Sequence, residues 1–317
     1  MPSPTEPFGS SPPDPLSVPE RGDALSSPSP AGRGGQGVRT ARPPGPGLER
    51  LSLNQITAER ASFPQAVEAC ARHGVPYIAV WRHKLAETGL DRAVRLVRDA
   101  GVRVSSVCRG GMFPAATRAA REGRIEDNRR AVDEAAALGA PVLVLVCGAA
   151  LPPDKDIAAA RRMVADGISE LAPYAAERGV RLGIEPMHPA FAAERSCITT
   201  LSEARCLAER FDPTSVGLVA DVYHIWWDPA LYEELARAAG RLVGFHVSDW
   251  LVPAGDVLMN RGMMGDGVIE LRRIRGAVER AGYGEGPIEV EIFNEAVWST
   301  PLDTLLPLIK ERYLACV

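Results

Sequence analysis

The hydrophobic and polar positions along the chain repeat one pattern from Leu48 to the C-terminus. A short apolar run rich in β-branched residues ends in polar residues and is followed by a segment whose apolar positions have helical spacing. The runs, each predicted to be a β-strand, are residues 51–56, 77–81, 102–108, 141–147, 181–186, 216–222, 242–247 and 288–293. The predicted helices between them include residues 63–72, 90–100, 125–138, 157–178 and 270–281.

Eight strand–helix units in about 270 residues predict a single (β/α)₈ barrel, because this is the unit count and size of that architecture. The alternative is a doubly wound open sheet, which normally carries a glycine-rich phosphate-binding loop after its first strand. The first predicted strand here continues into Asn54, Gln55, Ile56 and Thr57, with no glycine. The sequence therefore favours the barrel.

The first 47 residues differ in composition from the rest of the chain. Proline, glycine and serine occupy 27 of these positions, and large aliphatic residues are few. Such a segment buries too little apolar surface to offset the entropy lost on ordering. We predict a disordered tail over residues 1–47 and a barrel domain over residues 48–317.

Composition and charge exclude several classes of protein. The net charge of −4 provides no overall positive field, so we expect no nucleic-acid partner. No run approaches the ~18 apolar residues of a membrane span, and the start of the chain lacks the pattern of a secretory signal. The six cysteines are scattered, without a CxxC pair, which indicates reduced thiols and predicts a cytoplasmic protein.

Polar residues end four consecutive predicted strands. Glu185 ends strand five, Asp221 strand six, His246 strand seven and Glu291 strand eight. Barrel enzymes place their chemistry at the carboxyl ends of the strands, so these four side chains are predicted to share one rim. Glu289, two residues before Glu291, is expected to point to the other side of its strand and not to be a ligand.

Three carboxylates at one rim would repel each other unless a cation neutralised them. Three oxygen ligands and one nitrogen suit a single divalent ion. Mn²⁺ fits this set best, with Mg²⁺, Co²⁺ and Zn²⁺ as alternatives. The predicted cofactor is therefore one divalent metal ion.

Four segments at these strand ends resemble one known family. E-P-x-H at 185–188, D-x-Y-H at 221–224, H-x-x-D at 246–249 and E-x-E-I-F at 289–293 are similar to the xylose isomerase-like TIM barrels of the sugar phosphate isomerases and epimerases. The resemblance extends from about Leu48 to the C-terminus. It implies a single-metal ligand set, contributed by Glu185, Asp221, His246 and Glu291. It also implies that His224 contacts a substrate oxygen and that Arg261 is the arginine preceding the family's G-x-G turn, which we expect to bind substrate.

Other polar residues are candidates for binding the substrate. His188 lies three residues after Glu185, and Arg109 follows strand three, where it could bind an anionic or hydroxylated substrate. The loop over residues 250–267 is long and apolar, so it is interpreted as a lid, as packing on the outer rim, or as a contact between subunits of a homo-oligomer.

The resemblance and the ligand set predict a metal-dependent isomerase or epimerase of a keto-sugar or keto-cyclitol. Glu185 and Glu291 would exchange the proton next to the carbonyl through an enediolate. A dehydratase of the inosose or 3-dehydroshikimate type remains open, because loss of a β-hydroxyl needs the same residues. The barrel subunit of a C-glycoside-cleaving complex is a further alternative. An endonuclease IV-like phosphodiesterase is disfavoured, since strands three and four end without the histidines that a three-zinc site requires.

Overall fold

Eight parallel strands form a closed barrel in the computed structural model, which describes residues 47–149 and 156–317. Each strand pairs with its neighbour in the sequence, and the last pairs with the first, with Leu51 opposite Ile288. The strands are β1 (Leu51–Asn54), β2 (Tyr77–Trp81), β3 (Arg103–Gly111), β4 (Val142–Val146), β5 (Arg181–Ile184), β6 (Val216–Asp221), β7 (Leu242–Val247) and β10 (Ile288–Val290). The predicted fold class is confirmed.

The helices lie between successive strands and after the last one. They are α1 (Phe63–His73), α2 (Arg82–Thr88), α3 (Leu90–Ala100), α4 (Arg118–Ala137), α5 (Ile157–Glu177), α6 (Leu201–Ala208), α7 (Val222–Ile225), α8 (Leu231–Arg237), α9 (Leu271–Arg280), α10 (Glu295–Trp298) and α11 (Leu302–Cys316). Short 3₁₀ turns cover Leu48–Arg50, Gln55–Ala58 and Pro189–Phe191.

Local sequence signals explain these elements. All five residues of β4, Val-Leu-Val-Leu-Val, are buried, as expected for a parallel strand covered on both faces. Helix α1 begins at a capping box in which Ser62 accepts from the backbone N–H of Gln65, and the Gln65 side chain accepts from that of Ser62. The glycine after α1, Gly74, has φ of 65°, a left-handed conformation that ends a helix at little cost when no Cβ is present.

Some predicted boundaries were wrong, for identifiable reasons. The first strand ends at Asn54 rather than residue 56, because the Asn54 side chain accepts the N–H of Ile56 and starts a 3₁₀ turn. Strand β3 continues past residue 108 to Gly111, through a bulge at Arg109 where the register with β4 shifts. Helix α4 begins at Arg118, earlier than predicted, with Thr117 as its N-cap.

Two short strands build the long loop after β7. Strands β8 (Asp249–Trp250) and β9 (Arg261–Gly262) pair antiparallel, so the chain leaves the barrel and returns to it. Asp249 fixes this return, because its carboxylate accepts the backbone N–H groups of Trp250, Gly265 and Ile269 at 2.9–3.0 Å. Arg261 is thereby held at the carboxyl end of the barrel.

Three expectations from the sequence concern the whole chain. The predicted tail, up to residue 46, lies outside the described residues. None of the helices in the described ranges has the length and apolar character needed to span a bilayer. The six cysteines are unpaired thiols, four of them buried.

Candidate metal centre and active site

The four residues at the carboxyl ends of β5, β6, β7 and β10 lie together at one end of the barrel. One ligand atom each from Glu185, Asp221, His246 and Glu291 can be chosen so that all lie within 4.8 Å of one another. None of the four side chains is more than 5% exposed. Buried carboxylates are tolerated only when they are paired or bind a cation, so the arrangement requires positive charge at this point.

His246 lies between carboxylates on both sides of its ring. Its Nδ1 is 3.1 Å from Oε1 of Glu185 and 3.6 Å from Oε2 of Glu291, and its Nε2 is 3.1 Å from Oε2 of Glu289. Burial lowers the pKa of His246, but Glu289 and the other carboxylates outweigh it, so the pKa lies well above its usual value. The geometry assigns Nδ1 to the ligand cluster and Nε2 to Glu289.

The prediction that Glu289 points away from the barrel interior was wrong. Residues two apart in a strand share a face, so Glu289 and Glu291 both point inward, with Glu289 one layer deeper. Asn54 donates to both carboxylates, at 3.1 Å and 3.2 Å, and Ser105 donates to Glu289 at 2.8 Å. Glu289 is 3% exposed and lies under the cluster, where it holds the far side of the His246 ring.

Arg261 inserts its guanidinium among the acidic groups. Its Nη1 is 2.7 Å from Oδ2 of Asp221 and 3.0 Å from Oε2 of Glu291, and its Nη2 is 3.1 Å from Nε2 of His224. Burial would raise the pKa of Asp221, but Arg261, the two neighbouring histidines and the N–H of Tyr223 together outweigh it, and the pKa falls well below the usual range. The structure therefore brings Arg261 into the cluster.

His224 also lies in the cluster, on α7 and one helical turn after Asp221. Its Nε2 is 3.6 Å from Oδ2 of Asp221, and the side chain is 1% exposed. Burial lowers the pKa of His224 to about 3, so the imidazole is neutral. A neutral imidazole beside the carboxylates can accept or donate one hydrogen bond to a bound molecule.

His188 belongs to an aromatic wall beside the cluster, which the sequence did not predict. Its ring stacks on Trp250 with centroids 5.1 Å apart, and Trp250 stacks on Tyr223 at 4.8 Å. The Tyr223 ring in turn lies 4.6 Å from the guanidinium carbon of Arg261. The structure thus places His188 at the site but separated from Arg261 by two rings, and burial lowers the pKa of His188.

Arg109 is not part of the cluster. It lies on β3, half-buried, in the wall of a separate cavity of about 310 Å³ at the same end of the barrel. Its guanidinium has no hydrogen bond or ion pair with any residue in the ranges 47–149 and 156–317.

The residues of the cluster fit a divalent ion. Oε1 of Glu185 is buried and, although Nδ1 of His246 is near, it has no hydrogen-bond donor among the described residues. A buried carboxylate oxygen without a donor is costly unless a cation meets it. Mn²⁺, Mg²⁺, Co²⁺ and Zn²⁺ all bind carboxylates and imidazoles, but they differ in their preference for oxygen over nitrogen ligands.

Comparison with known proteins agrees with this fold. Residues 67–311 match the sequence model of the xylose isomerase-like TIM barrels. The chain belongs to this family. The family resemblance predicted from the four strand-end segments is confirmed.

One relative with a named activity is matched over only part of its length. A 3-dehydroshikimate dehydratase of Pseudomonas aeruginosa is 28% identical over 247 residues, which cover 76% of this chain and 37% of the dehydratase. The chain therefore spans little more than a third of that relative's length.

Two solved structures share the fold over most of the chain. The protein SMc04130 of Sinorhizobium meliloti 1021 is 48% identical, with a TM-score of 0.83 over 85% of this chain and 99% of that one. The IOLI protein, solved with a binding zinc atom, is 19% identical, with a TM-score of 0.73 over 84% and 97% of the two chains.

Proposed function

We propose that this xylose isomerase-like barrel is a divalent-metal-dependent isomerase or epimerase of a keto-sugar or keto-cyclitol. The observation that carries the proposal is the buried cluster of Glu185, Asp221, His246 and Glu291, whose ligand atoms lie within 4.8 Å of one another. A divalent ion held there would polarise the carbonyl of a hydroxy-ketone and acidify the neighbouring C–H bond.

The proton is moved by the two glutamates. Glu185 and Glu291 come from β5 and from the end of β10, so they approach the cluster from different strands. One carboxylate removes the proton next to the carbonyl to give an enediolate, and the other returns a proton to the opposite face or to the neighbouring carbon. Return to the opposite face is epimerisation, and return to the neighbouring carbon is isomerisation.

Arg261 and His224 bind the oxygens of the substrate in this proposal. Both are buried in the cluster, and Nη2 of Arg261 donates to Nε2 of His224 at 3.1 Å. The neutral imidazole then carries its proton on Nδ1, which has no partner among the described residues and is left to donate to a bound oxygen. The stacked rings of His188 and Trp250 offer a flat wall against which the ring or carbon chain of the substrate can pack.

A dehydratase is the second candidate, and one observation favours it. The relative from Pseudomonas aeruginosa is named a 3-dehydroshikimate dehydratase, although this chain matches 37% of it. Removal of the same proton followed by loss of a β-hydroxyl would give dehydration with the same carboxylates.

We propose Mn²⁺ as the ion, with Mg²⁺, Co²⁺ and Zn²⁺ as the alternatives. The zinc atom bound by the IOLI protein, which shares this fold, supports a divalent ion here. The partner is a small sugar or cyclitol and neither nucleic acid nor a membrane. The location is cytoplasmic, which the unpaired cysteines support.

Metal analysis combined with deuterium exchange tests the proposed function. Purified protein is expected to hold one divalent ion per chain, where a three-zinc nuclease would hold three. Incubation with keto-sugars and keto-cyclitols in ²H₂O is expected to place deuterium on a carbon next to the carbonyl, since the proton returns from solvent-exchanged carboxylates. An olefinic or aromatic product would instead identify the dehydratase. Absence of both exchange and elimination across the panel would contradict the proposal.

Glu289 offers a prediction about the metal centre itself. Glu289→Gln is expected to weaken binding of Mn²⁺ by about 10- to 100-fold, because a carboxylate behind a ligating imidazole fixes its orientation and raises its basicity. The amide keeps the size of the side chain and one acceptor for Ser105 or Asn54. Titration calorimetry with Mn²⁺ measures the effect, and Ser105→Ala is the control that removes one neutral hydrogen bond. Equal affinities in parent and Glu289→Gln would show that Glu289 has no part in the site.

A further inference from the structure

Arg109 is a half-buried arginine that lacks an acidic partner in the described parts of the chain. Burial lowers the pKa of Arg109 most, and the nearby charges of Arg195, Arg82 and Arg124 lower it further, against a smaller opposite effect of Cys108. A guanidinium taken partly out of water normally faces a carboxylate or an aromatic ring, because its desolvation is otherwise uncompensated. At the carboxyl end of the barrel, the desolvation of the Arg109 guanidinium is therefore not compensated by a described residue.

Among the residues that the structure describes, the one carboxylate in the wall of this cavity does not neutralise Arg109. Asp127 accepts from Arg82 at 3.0 Å and 3.2 Å and from Arg130 at 3.0 Å. Arg82 is bound in addition by Glu134 at 2.6 Å. These groups satisfy each other, which leaves Arg109 and the exposed Arg124 as excess positive charge in the cavity.

Two residues in the wall of the cavity, Trp81 and Cys108, connect it to the metal cluster. Trp81 lines it, and the indole N–H of Trp81 donates at 2.7 Å to Asn54, which in turn donates to Glu291. Cys108, also in the wall, is close enough to the cluster that Glu291 and Glu289 add to the effect of burial in raising its pKa. Trp81 and Cys108 therefore place one wall of the Arg109 cavity beside the metal cluster.

Strand order places the two ends of such a molecule on opposite sides of the barrel. In the closed order of eight strands, β3 is four positions from β7, which carries His246. The bulge in β3 falls at Arg109, between Cys108 and Gly110, where the residue has no partner in β4. A bulge next to a site re-aims a side chain, and here the side chain it frees is the arginine.

We infer that Arg109 binds an anionic group of the substrate, so that the substrate is a keto-sugar or keto-cyclitol that carries a carboxylate or a phosphate, and not a neutral one. This inference rests on the proposed function, since the cluster would bind the neighbouring oxygens at the other end of the molecule. The planar fork of arginine matches two oxygens of one carboxylate or phosphate. The shared chemistry is an oxyanion on the side of the substrate remote from the reacting carbon.

Matched ligands that differ only in charge test the inference without turnover. The probes are 3,4-dihydroxybenzoate with its amide, and 3,4-dihydroxyphenylacetate with its amide, which share two adjacent oxygens for the cluster and cover two lengths. 3,4-Dihydroxyphenylphosphonate represents the phosphate class. Binding to the full chain loaded with Mn²⁺ is measured by calorimetry under argon.

The anionic probe of at least one length is expected to bind about 10- to 100-fold more tightly than its amide, the range for a charged hydrogen-bonded pair. Arg109→Ala is expected to remove this preference while leaving amide binding intact, which also shows that the variant is folded. Arg109→Lys keeps the charge but loses the fork and is expected to retain part of the preference. Arg98→Ala, an exposed arginine on the outer helix α3, is the control and keeps it all.

The outcomes separate this inference from the proposed function. Equal binding of anion and amide, or a preference that survives in Arg109→Ala, would overturn the anion site while the metal-dependent function stands. Anion binding that needs Arg109 but not Mn²⁺ would support the anion site and contradict the metal-based function. Failure of every probe to bind would contradict both. A phosphonate that binds more tightly than the carboxylates supports the site and identifies its substrate as a phosphate ester.

Discussion

Replacement of Asp221 by alanine is expected to abolish retention of a divalent ion. Its affinity is expected to fall by more than about 100-fold, which exceeds the loss expected when a residue that only contacts a ligand is removed. Asp221 is fully buried and supplies one oxygen of the cluster. Its loss would leave Arg261 between fewer carboxylates, so that the remaining positive charge repels an incoming ion. His246→Ala removes the only nitrogen ligand of the cluster and is expected to have the same result.

The measurement is the ion content per chain after gel filtration, together with calorimetric titration of Mn²⁺. Asp221→Asn separates ligand loss from structural damage, because the amide oxygen still accepts the N–H of Tyr223 that Asp221 binds at 2.9 Å. Asp133→Ala, the same substitution at an exposed residue that pairs with Arg178, is the control. Full ion content in Asp221→Ala and in His246→Ala would refute the assignment of the ligands.

Substitution of Glu185 or Glu291 by glutamine is expected to lower the turnover rate by about 100-fold or more, the usual scale for loss of a general base. Glutamine keeps the shape and one oxygen of the side chain but has no basic carboxylate. Each variant is therefore expected to keep part of its ion and to lose the proton transfer. The rate is followed with the ketone identified in the exchange screen, and the ion content is measured in the same samples.

The two glutamine variants are expected to behave differently if the reaction is epimerisation. Because the two carboxylates would act on opposite faces, one variant is expected to wash deuterium into the substrate without forming product. A single-base isomerase would lose exchange and turnover together. Glu170→Gln, at an exposed position that pairs with Arg129, is the control. Near-parental rates in both variants with ion bound would make a histidine, His188 or His224, the leading candidate for the proton transfer.

Most of the fold and of the candidate site could be predicted from the apolar runs and from the polar residues that follow them. Apolar runs of fixed spacing indicated eight strands, and the barrel rule placed Glu185, Asp221, His246 and Glu291 at one rim, where the structure brings them together. Boundaries were less predictable, because side-chain hydrogen bonds decided them, as at Asn54.

Three features of the site were not predicted correctly from the sequence. Glu289 was assigned to the wrong face, although correct use of the two-residue period would have placed it beside Glu291. Trp250 lies 62 residues after His188 in the chain, so their stacking follows from the return path of the loop and not from any local pattern. Arg109 was a candidate from its strand-end position, but its lack of an acidic partner could be recognised only once its neighbours were known.

The distribution of the ligands along the chain has a consequence for how the protein folds. More than one hundred residues separate Glu185 from Glu291, and Glu291 is positioned only when the last strand pairs with both β7 and β1. An unfolded or partly assembled chain therefore has no site, and the proposed ion would bind the closed barrel alone. Such a ligand stabilises the native state by mass action, by about 1.4 kcal/mol for each tenfold increase in free ion above its Kd. The supply of metal in the cell would then set how long the enzyme lasts as well as how fast it works.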